Sequence, residues 1–185
     1  SFEGIKEKNK DNIIYSMQTA TSYYLNFNLD RKSYNFTSKS SDIEKKSTQE
    51  AVLNKNFRQA FNYAYNRTAY GAQSQGEDGA TKIIRNLVVP PNFVTINGKN
   101  FGDVVSEKMV NYGQEWQGTN FADAQDSYYN PDKAKAKFAE AKKELAAKGV
   151  QFPIHLDISV DQSAKKGVQE ASSLKQSIES VLGAE

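Results

Sequence analysis

Cysteine is absent from this 185-residue sequence, and histidine and tryptophan each occur once. The missing thiols exclude disulfides, thiol chemistry and thiolate metal sites. The single histidine, His155, has no second histidine or glutamate at ligand spacing, so we predict no metal site and no cofactor. No apolar run approaches the roughly 20 residues that span a bilayer.

A large excess of charge of either sign is also missing. Lysine and arginine total 24 and aspartate and glutamate total 22, which gives a formal net charge of +2. Nucleic-acid binding requires a clustered basic patch, so we expect no nucleic-acid partner. The lysines of residues 133–148 are mixed with glutamates, which is typical of a solvated helix face.

The sequence motifs of common enzyme active sites do not occur. There is no P-loop, no Gly-x-Gly-x-x-Gly after a predicted strand and no Gly-x-Ser-x-Gly. Asp157 and Asp161 share one face of a predicted strand, but the rise per residue separates them by roughly 13 Å. A glycosidase carboxylate pair lies about 5–10 Å apart. We therefore interpret both residues as solvated aspartates and predict no catalytic residue and no enzymatic activity.

The alternation of apolar and polar residues predicts strands. It extends over Ser22–Asp30 and again over Pro153–Asp161, as expected for strands with one buried face. Asn12–Gln18 is a short apolar run that we also interpret as a strand. The polar segment Arg31–Lys46 is expected to be a loop with a helical end. Ile96–Lys99 has Asn-Gly at its centre and predicts a turn.

Helical periodicity appears in four other segments, of which the one beginning at Pro131 has the clearest boundaries. Asn130 is placed to cap it, Pro131 occupies the first helical position and Gly149 ends it. Its predicted buried stripe consists of Ala134, Phe138, Ala141 and Leu145. The other predicted helices are Asn56–Tyr70, capped by Asn54 or Asn56 and burying Phe61, a short helix over Asp103–Asn111, and Ala164–Leu182, ended by Gly183 and burying Val168, Ala171, Leu174, Ile178 and Val181. The Gly-rich segment Gly71–Thr81 is expected to be a flexible connection.

These elements predict an α/β fold in which helices pack on a sheet. We expect residues 1–185 to form a single domain with its own core. The sequence does not begin with methionine, and it ends directly after a helix where a helix–strand–helix series would continue with a strand. We therefore expect it to be part of a longer protein.

One polar strand face is a candidate ligand-binding surface. Tyr24, Asn26 and Asn28 share this face of the predicted strand Ser22–Asp30, opposite its apolar face. Phenol and amide groups can hydrogen-bond a peptide backbone without selecting its side chains. Most of the ten tyrosines are expected in the core or at its edge, but we interpret Tyr24 as facing solvent or a cleft.

Several segments, in the same order along the chain, resemble the motifs of one protein family. Asn54–Tyr70 resembles its signature helix "vRqAlnyaiDR", with Asn66 in place of the aspartate. Ser22–Phe36 resembles a Tyr-rich strand that ends in Asn-x-Asn. Tyr129–Gly149 resembles the helix "yDpekAkklLaeAG", and Phe152–Gly183 resembles the strand and helix that follow it. On these motifs the chain resembles the solute-binding proteins of bacterial peptide importers, and most closely the streptococcal oligopeptide-binding lipoproteins.

The resemblance implies part of the C-terminal lobe of a two-lobed, type II periplasmic-binding-protein-like fold, with a mixed sheet packed by helices. It implies a monomeric receptor at the extracellular face of the membrane, lipid-anchored when intact, which encloses an oligopeptide between its lobes. Its second partner would be the membrane permease of an ABC importer. In this family the acidic residue that holds the peptide's amino group typically lies beyond the last residue of this chain.

Alternatives to peptide transport remain at this stage. A surface adhesion or peptide-signalling module could use the same scaffold, and nickel, haem or sugar ligands occur within the family. The Tyr24, Asn26 and Asn28 face favours a peptide ligand over these. An enzyme is the least favoured class because the motifs above are missing.

Overall fold

The computed structural model describes residues 2–14, 16 and 18–184. The chain divides into two compact units. The first comprises residues up to 24 together with 67–127, and the second comprises 25–66 together with the residues from 128 onwards. Each unit is assembled from segments far apart in sequence, so its stability depends on long-range packing.

The second unit is helical. Its helices are α2 (Asp42–Leu53), α3 (Lys55–Ala64), α6 (Pro131–Ala146) and α7 (Lys165–Leu182). The core lies where α3 packs against α6, and it is formed by Ala51, Phe57, Ala60, Phe138, Ala141 and Leu145. Alanines at the crossing allow the two helices to approach closely. Burying a leucine such as Leu145, which is fully buried, typically contributes about 1.5–3 kcal/mol.

Helix α6 confirms its prediction. The Asn130 side chain accepts a hydrogen bond from the Lys133 amide, and Pro131 occupies the first turn. All the predicted stripe residues, Ala134, Phe138, Ala141 and Leu145, are buried. Gly149 has φ of +73°, and the amide of Val150 donates to the Leu145 carbonyl, which closes the end of the helix.

A single residue, Asn54, joins α2 to α3. Its backbone N–H donates to carbonyls in the last turn of α2, and its side-chain oxygen accepts from the Phe57 amide at 2.9 Å as the cap of α3. Its side-chain NH₂ donates to Glu144 of α6 at 2.7 Å. The prediction that Asn54 or Asn56 caps the helix is confirmed for Asn54. Helix α2 was predicted only as the helical end of a loop, although Ser41 and Glu44 form a full capping box at its start.

The predicted helix Asn56–Tyr70 is interrupted in the structure. Helix α3 ends at Ala64, and a new helix, α4 (Arg67–Gln75), begins after two non-helical residues. The Ser177 hydroxyl donates to the Ala64 carbonyl and accepts from the Asn66 amide, which replaces the helical hydrogen bonds lost at the break. The prediction was wrong here because a side chain distant in sequence satisfies these backbone groups. Phe61, predicted to be buried, is half-buried.

Helix α7 and its end largely match the prediction. It covers Lys165–Leu182, and Gly183 follows with φ of +84°. Leu174 is buried, and Ile178 and Val181 pack against the core. Val168 is 37% exposed, so the predicted stripe is wrong at the first turns of the helix.

The two segments of the second unit that were predicted to be strands are not strands in the structure. Residues 25–30 and 153–161 have no β-ladder among the described residues. Ile154 and Leu156 still pack against the core, whereas Ile158 and Val160 are exposed. Side chains of α2 take the place of a neighbouring strand, since Thr48 donates to the His155 carbonyl. The prediction failed because alternation describes which side is buried, while a strand also requires a ladder partner.

The first unit combines short helices with a hairpin. It contains α1 (Phe2–Lys6), α4, β1 (Thr95–Ile96), β2 (Lys99–Asn100), α5 (Phe101–Met109) and short 3-10 segments at Lys10–Asn12, Glu77–Gly79, Val110–Tyr112 and Gln114–Trp116. Strands β1 and β2 pair antiparallel and are the only strands in the described part of the chain. Asn97 and Gly98, both with positive φ, form the predicted turn. Helix α5 confirms the short helix predicted over Asp103–Asn111.

Two further predictions for the first unit were wrong. The described residues of Asn12–Gln18 form no strand, and Tyr15 and Met17 lie outside the described residues. Gly71–Thr81 is not a flexible connection, since its first half belongs to α4 and its centre to a 3-10 turn. Gly71 is buried, and a Cβ placed there would lie 2.2 Å from the Ala80 carbonyl oxygen. The glycine is therefore needed for close packing rather than for flexibility.

Candidate functional site

The residues predicted to bind ligand lie in exposed chain without regular structure. Tyr24 is 63% exposed, and Asn26 and Asn28 are also exposed. Tyr24 belongs to the first unit and both asparagines to the second. The Asn28 side-chain oxygen accepts a hydrogen bond from the Asp30 amide at 3.1 Å, which forms a local turn.

The other face of the predicted strand is not buried as a whole. Tyr23 is 93% exposed, and Leu25 and Leu29 are exposed too. Phe27 alone is partly buried, and its ring packs edge-on against Phe61 with centroids 5.1 Å apart. Of the residues predicted to form a buried apolar face, only Phe27 therefore packs against the core. Exposed aromatic and amide groups in succession nevertheless offer hydrogen bonds and apolar area to a ligand.

A cleft of about 600 Å³ lies within the first unit. Its lining combines residues from the N-terminal segment, such as Gln18 and Thr19, with residues from later in the chain, such as Arg85 and Asp123. The side chains and backbone that line it are those of Ser16, Gln18, Thr19, Ala20, Lys82, Arg85, Pro90, Asn92, Phe93, Asp123 and Ala124. The cleft is open to solvent along one side.

Arg85 is the most highly connected side chain of this cleft. Its guanidinium donates to the carbonyls of Thr19 and Thr21 at 2.9 and 3.0 Å, and to the Gln18 side-chain oxygen at 3.0 Å. It also donates to the Ser22 hydroxyl at 3.2 Å. The side chain is only 9% exposed. A planar fork of donors is well suited to fixing several acceptors at once.

Asp123 supplies the negative charge opposite Arg85. Its Oδ2 accepts from the Arg85 guanidinium at 3.3 and 3.4 Å. Its Oδ1 is buried and has no hydrogen-bond partner among the described residues. The pair places one carboxylate and the Arg85 guanidinium at the same wall of the cleft, with Lys82 also in its lining.

A second arginine network supports the loop that carries Asp123. The Arg67 guanidinium donates to Asp126 at 2.5 and 3.0 Å and to the Arg85 carbonyl at 3.0 Å. Asn86 accepts from Arg67 at 2.7 Å and donates to the carbonyls of Ala122 and Gln125. The family motif has an aspartate where this chain has Asn66. Arg67 still has a carboxylate partner, because Asp126 accepts its hydrogen bonds.

Sequence reasoning missed Arg85, Asp123 and Asp126. A signal for Arg85 was present, since it is a single charge within the apolar stretch Ile83–Val89. Charged residues are rarely buried unless they are paired. The aspartates gave no comparable signal, because they lie in an irregular polar segment whose position depends on long-range contacts.

Asp157, interpreted from the sequence as solvated, is instead the centre of a charged cluster in the second unit. Its Oδ2 accepts from Arg31 at 2.5 Å, Lys39 at 2.8 Å and Thr37 at 2.8 Å. The Lys39 side chain is fully buried. Burial acts to raise the pKa of Asp157, but the hydrogen bonds from Lys39, Arg31 and Thr37 outweigh it and lower the pKa to about 2. This cluster joins distant segments of the second unit through one carboxylate oxygen.

Neither a metal centre nor a membrane helix is found in the part of the chain that the structure describes. No group of three or more acidic, histidine or cysteine side chains there could hold a metal ion. None of the helices there has the length and apolar character needed to cross a membrane.

The chain is similar in sequence to several curated oligopeptide-binding proteins. No protein-family model matches the chain. It is 77% identical over all 185 residues to the oligopeptide-binding protein AliB of Streptococcus pneumoniae serotype 4, and 56% identical to AliA of the same organism. It is 55% identical over 183 residues to the oligopeptide-binding protein SarA of Streptococcus gordonii. The chain spans 28% of the length of each of these relatives. These matches confirm the resemblance to streptococcal oligopeptide-binding proteins.

Proposed function

We propose that this chain is part of an oligopeptide-binding receptor that delivers peptides to an ABC importer. The observation that carries the proposal is the match of the entire chain, at 77% and 56% identity, to proteins named for oligopeptide binding. The exposed Tyr24, Asn26 and Asn28 support it, because their groups can pair with a peptide backbone. The action is capture rather than catalysis.

The receptor's architecture follows from the same proposal. The chain would form part of the C-terminal lobe of a type II periplasmic-binding-protein-like fold, in which its extended segments gain ladder partners from a mixed sheet. The intact receptor would be a monomer, lipid-anchored at the extracellular face of the membrane. Peptide binding would favour a closed form that the membrane permease recognises.

The test of the site is peptide binding by the full-length protein that contains this chain. Isothermal titration with a pool of short synthetic peptides of randomised sequence would compare the parent with Tyr24→Ala. Tyrosine is enriched among the minority of contact residues whose truncation costs more than about 1 kcal/mol, so we expect Tyr24→Ala to weaken binding about fivefold or more. Tyr112→Ala is the matched control, because Tyr112 is a 74% exposed tyrosine of the same unit.

The outcomes separate the parts of the proposal. Equal affinity of Tyr24→Ala and the parent would remove Tyr24 from the site and leave the receptor function intact. Absence of peptide binding by the parent, together with adhesion to host cells or to a protein surface, would replace the function with an adhesion module on the same scaffold.

A second experiment tests whether the chain is a partial lobe. The isolated chain should bind the same peptide pool much more weakly than the full-length protein. A ligand held between lobes is mostly enclosed, and a single wall must still offset the entropic cost of capture. Comparable affinities would mean that the site is complete within these residues, and the partial-lobe assignment would be wrong.

A further inference from the structure

We infer that Arg85 is a positioning residue that holds the segment leading to Tyr24 in its binding geometry. The inference rests on the proposed peptide-binding function and concerns a residue that need not touch the peptide. Arg85, Gln18, Ser22 and Tyr24 all belong to the first unit.

The segment 18–24 has no helix or ladder to define its backbone. Its conformation depends on hydrogen bonds to residues 82–88. The Gln18 side-chain NH₂ donates to the carbonyls of Lys82 and Ile84 at 2.5 and 3.0 Å, and the Ser22 hydroxyl donates to the Val88 carbonyl at 2.6 Å. The Gln18 bonds hold the start of the segment, and the Ser22 bond holds it two residues before Tyr24.

Arg85 bonds to the same two side chains and to the backbone between them. Its guanidinium donates hydrogen bonds to the backbone carbonyls of Thr19 and Thr21 and to the side-chain oxygens of Gln18 and Ser22. The backbone carbonyls are the important contacts, because they fix the path of the chain whatever side chains it carries. The last residue held in this way, Ser22, is only two residues before Tyr24, which is within about 7 Å along the chain.

Lysine cannot reproduce this arrangement. An ammonium is a compact point donor, whereas the guanidinium reaches several acceptors in one plane. In Arg85→Lys the charge opposite Asp123 remains, but most of the carbonyl contacts are lost. Ordering even one freed residue during binding costs about as much free energy as a tenfold change in affinity. We therefore expect Arg85→Lys to weaken peptide binding about tenfold or more.

The experiment uses the full-length protein with two measurements. Hydrogen exchange followed by mass spectrometry reports the backbone of residues 18–24, and titration with the randomised pool of short peptides reports affinity. Arg58→Lys is the matched control, because the Arg58 guanidinium donates to the Val52 carbonyl at 2.7 Å within the second unit. Asp123→Asn is the second variant, which keeps the Arg85 contacts to the carbonyls and should change affinity less than Arg85→Lys. A thermal unfolding curve for each variant ensures that binding is measured well below its midpoint.

We expect faster exchange in residues 18–24 and about tenfold weaker binding for Arg85→Lys, with neither effect for Arg58→Lys. If Arg85→Lys exchanged faster in residues 18–24 but bound peptide with unchanged affinity, the inference would be overturned and the proposed function would stand. The same conclusion would follow if its exchange were unchanged. Equal weakening by Arg58→Lys would also overturn it, because the effect would then be a general loss of stability. A parent protein that binds no peptide would instead overturn the proposed function and the inference with it.

Discussion

Protonation of Asp157 should destabilise the second unit in a narrow range of acidic pH. Burial opposes ionisation of this carboxyl, but Lys39, Arg31 and Thr37 lower its pKa from 3.8 to about 2. The pKa in the folded chain is below that of the unfolded chain. The stabilisation is therefore complete above about pH 4 and is lost as the pH falls from about 4 to 2.

The magnitude follows from the shift in pKa. The difference between 3.8 and about 2 corresponds to about 2.5 kcal/mol. The carboxylate is 20% exposed, so solvent screening reduces this to about 1–2 kcal/mol. Asp157→Asn should cost more at neutral pH, about 3 kcal/mol, because it leaves the fully buried Lys39 ammonium without its carboxylate.

The assay is urea unfolding at pH 7 and at pH 3, followed by far-ultraviolet circular dichroism. The parent should lose more stability between these pH values than Asp157→Asn does. Asp161→Asn is the control, since the carboxylate of this exposed aspartate accepts from Ser163 within its own turn. These local bonds also lower the pKa of Asp161, so this variant should keep most, rather than all, of the parent's loss of stability. Adding Lys39→Met to Asp157→Asn should recover part of the loss. An Asp157→Asn variant as stable as the parent at pH 7 would refute the reasoning.

Further predictions concern packing and helix ends, each measured by urea or thermal unfolding. Phe138→Ala should cost about 3–5 kcal/mol because it opens a cavity in the core, and a midpoint equal to the parent's would contradict the core assignment. Asn130→Ala should cost about 1 kcal/mol by removing the cap of α6, whereas no loss would mean that the cap is not formed in solution. Gly71→Ala should destabilise by about 1–3 kcal/mol because of its contact with Ala80. Gly167→Ala on α7, where a Cβ would meet only the Ala164 side chain at an ordinary contact distance of 3.9 Å, should instead stabilise by about 0.5–1 kcal/mol, and identical effects of the two glycine substitutions would contradict the close packing at Gly71.

Local signals predicted the parts of the fold that local forces determine. The Asn130 cap, the Gly149 termination and the Asn97–Gly98 turn all occur as expected. Each depends on a few neighbouring residues whose backbone preferences agree. The interruption after Ala64 could not be predicted in this way, because Ser177 satisfies the broken helix from more than a hundred residues away in sequence.

Strands and site residues were harder to predict for a related reason. The alternating pattern correctly indicated that Ile154 and Leu156 face the core, but it could not indicate whether a neighbouring strand is present. The exposure of Tyr24 was predicted, while its role in binding stays a prediction. The pairing of Arg85 with Asp123, and the contacts of Arg85 with residues 18–22, were not predicted. They join segments that are far apart in sequence, so no local pattern indicates them.

Asn54 has a consequence for how the second unit opens. Its backbone N–H closes α2, its side-chain oxygen begins α3, and its side-chain NH₂ is held by Glu144 of α6. The C-terminus of one helix and the N-terminus of the next therefore cannot fray separately, since either movement breaks contacts that the other helix needs. Amide protons on both sides of this junction should exchange with solvent at a common rate, as one cooperative opening unit rather than as two independent helix ends.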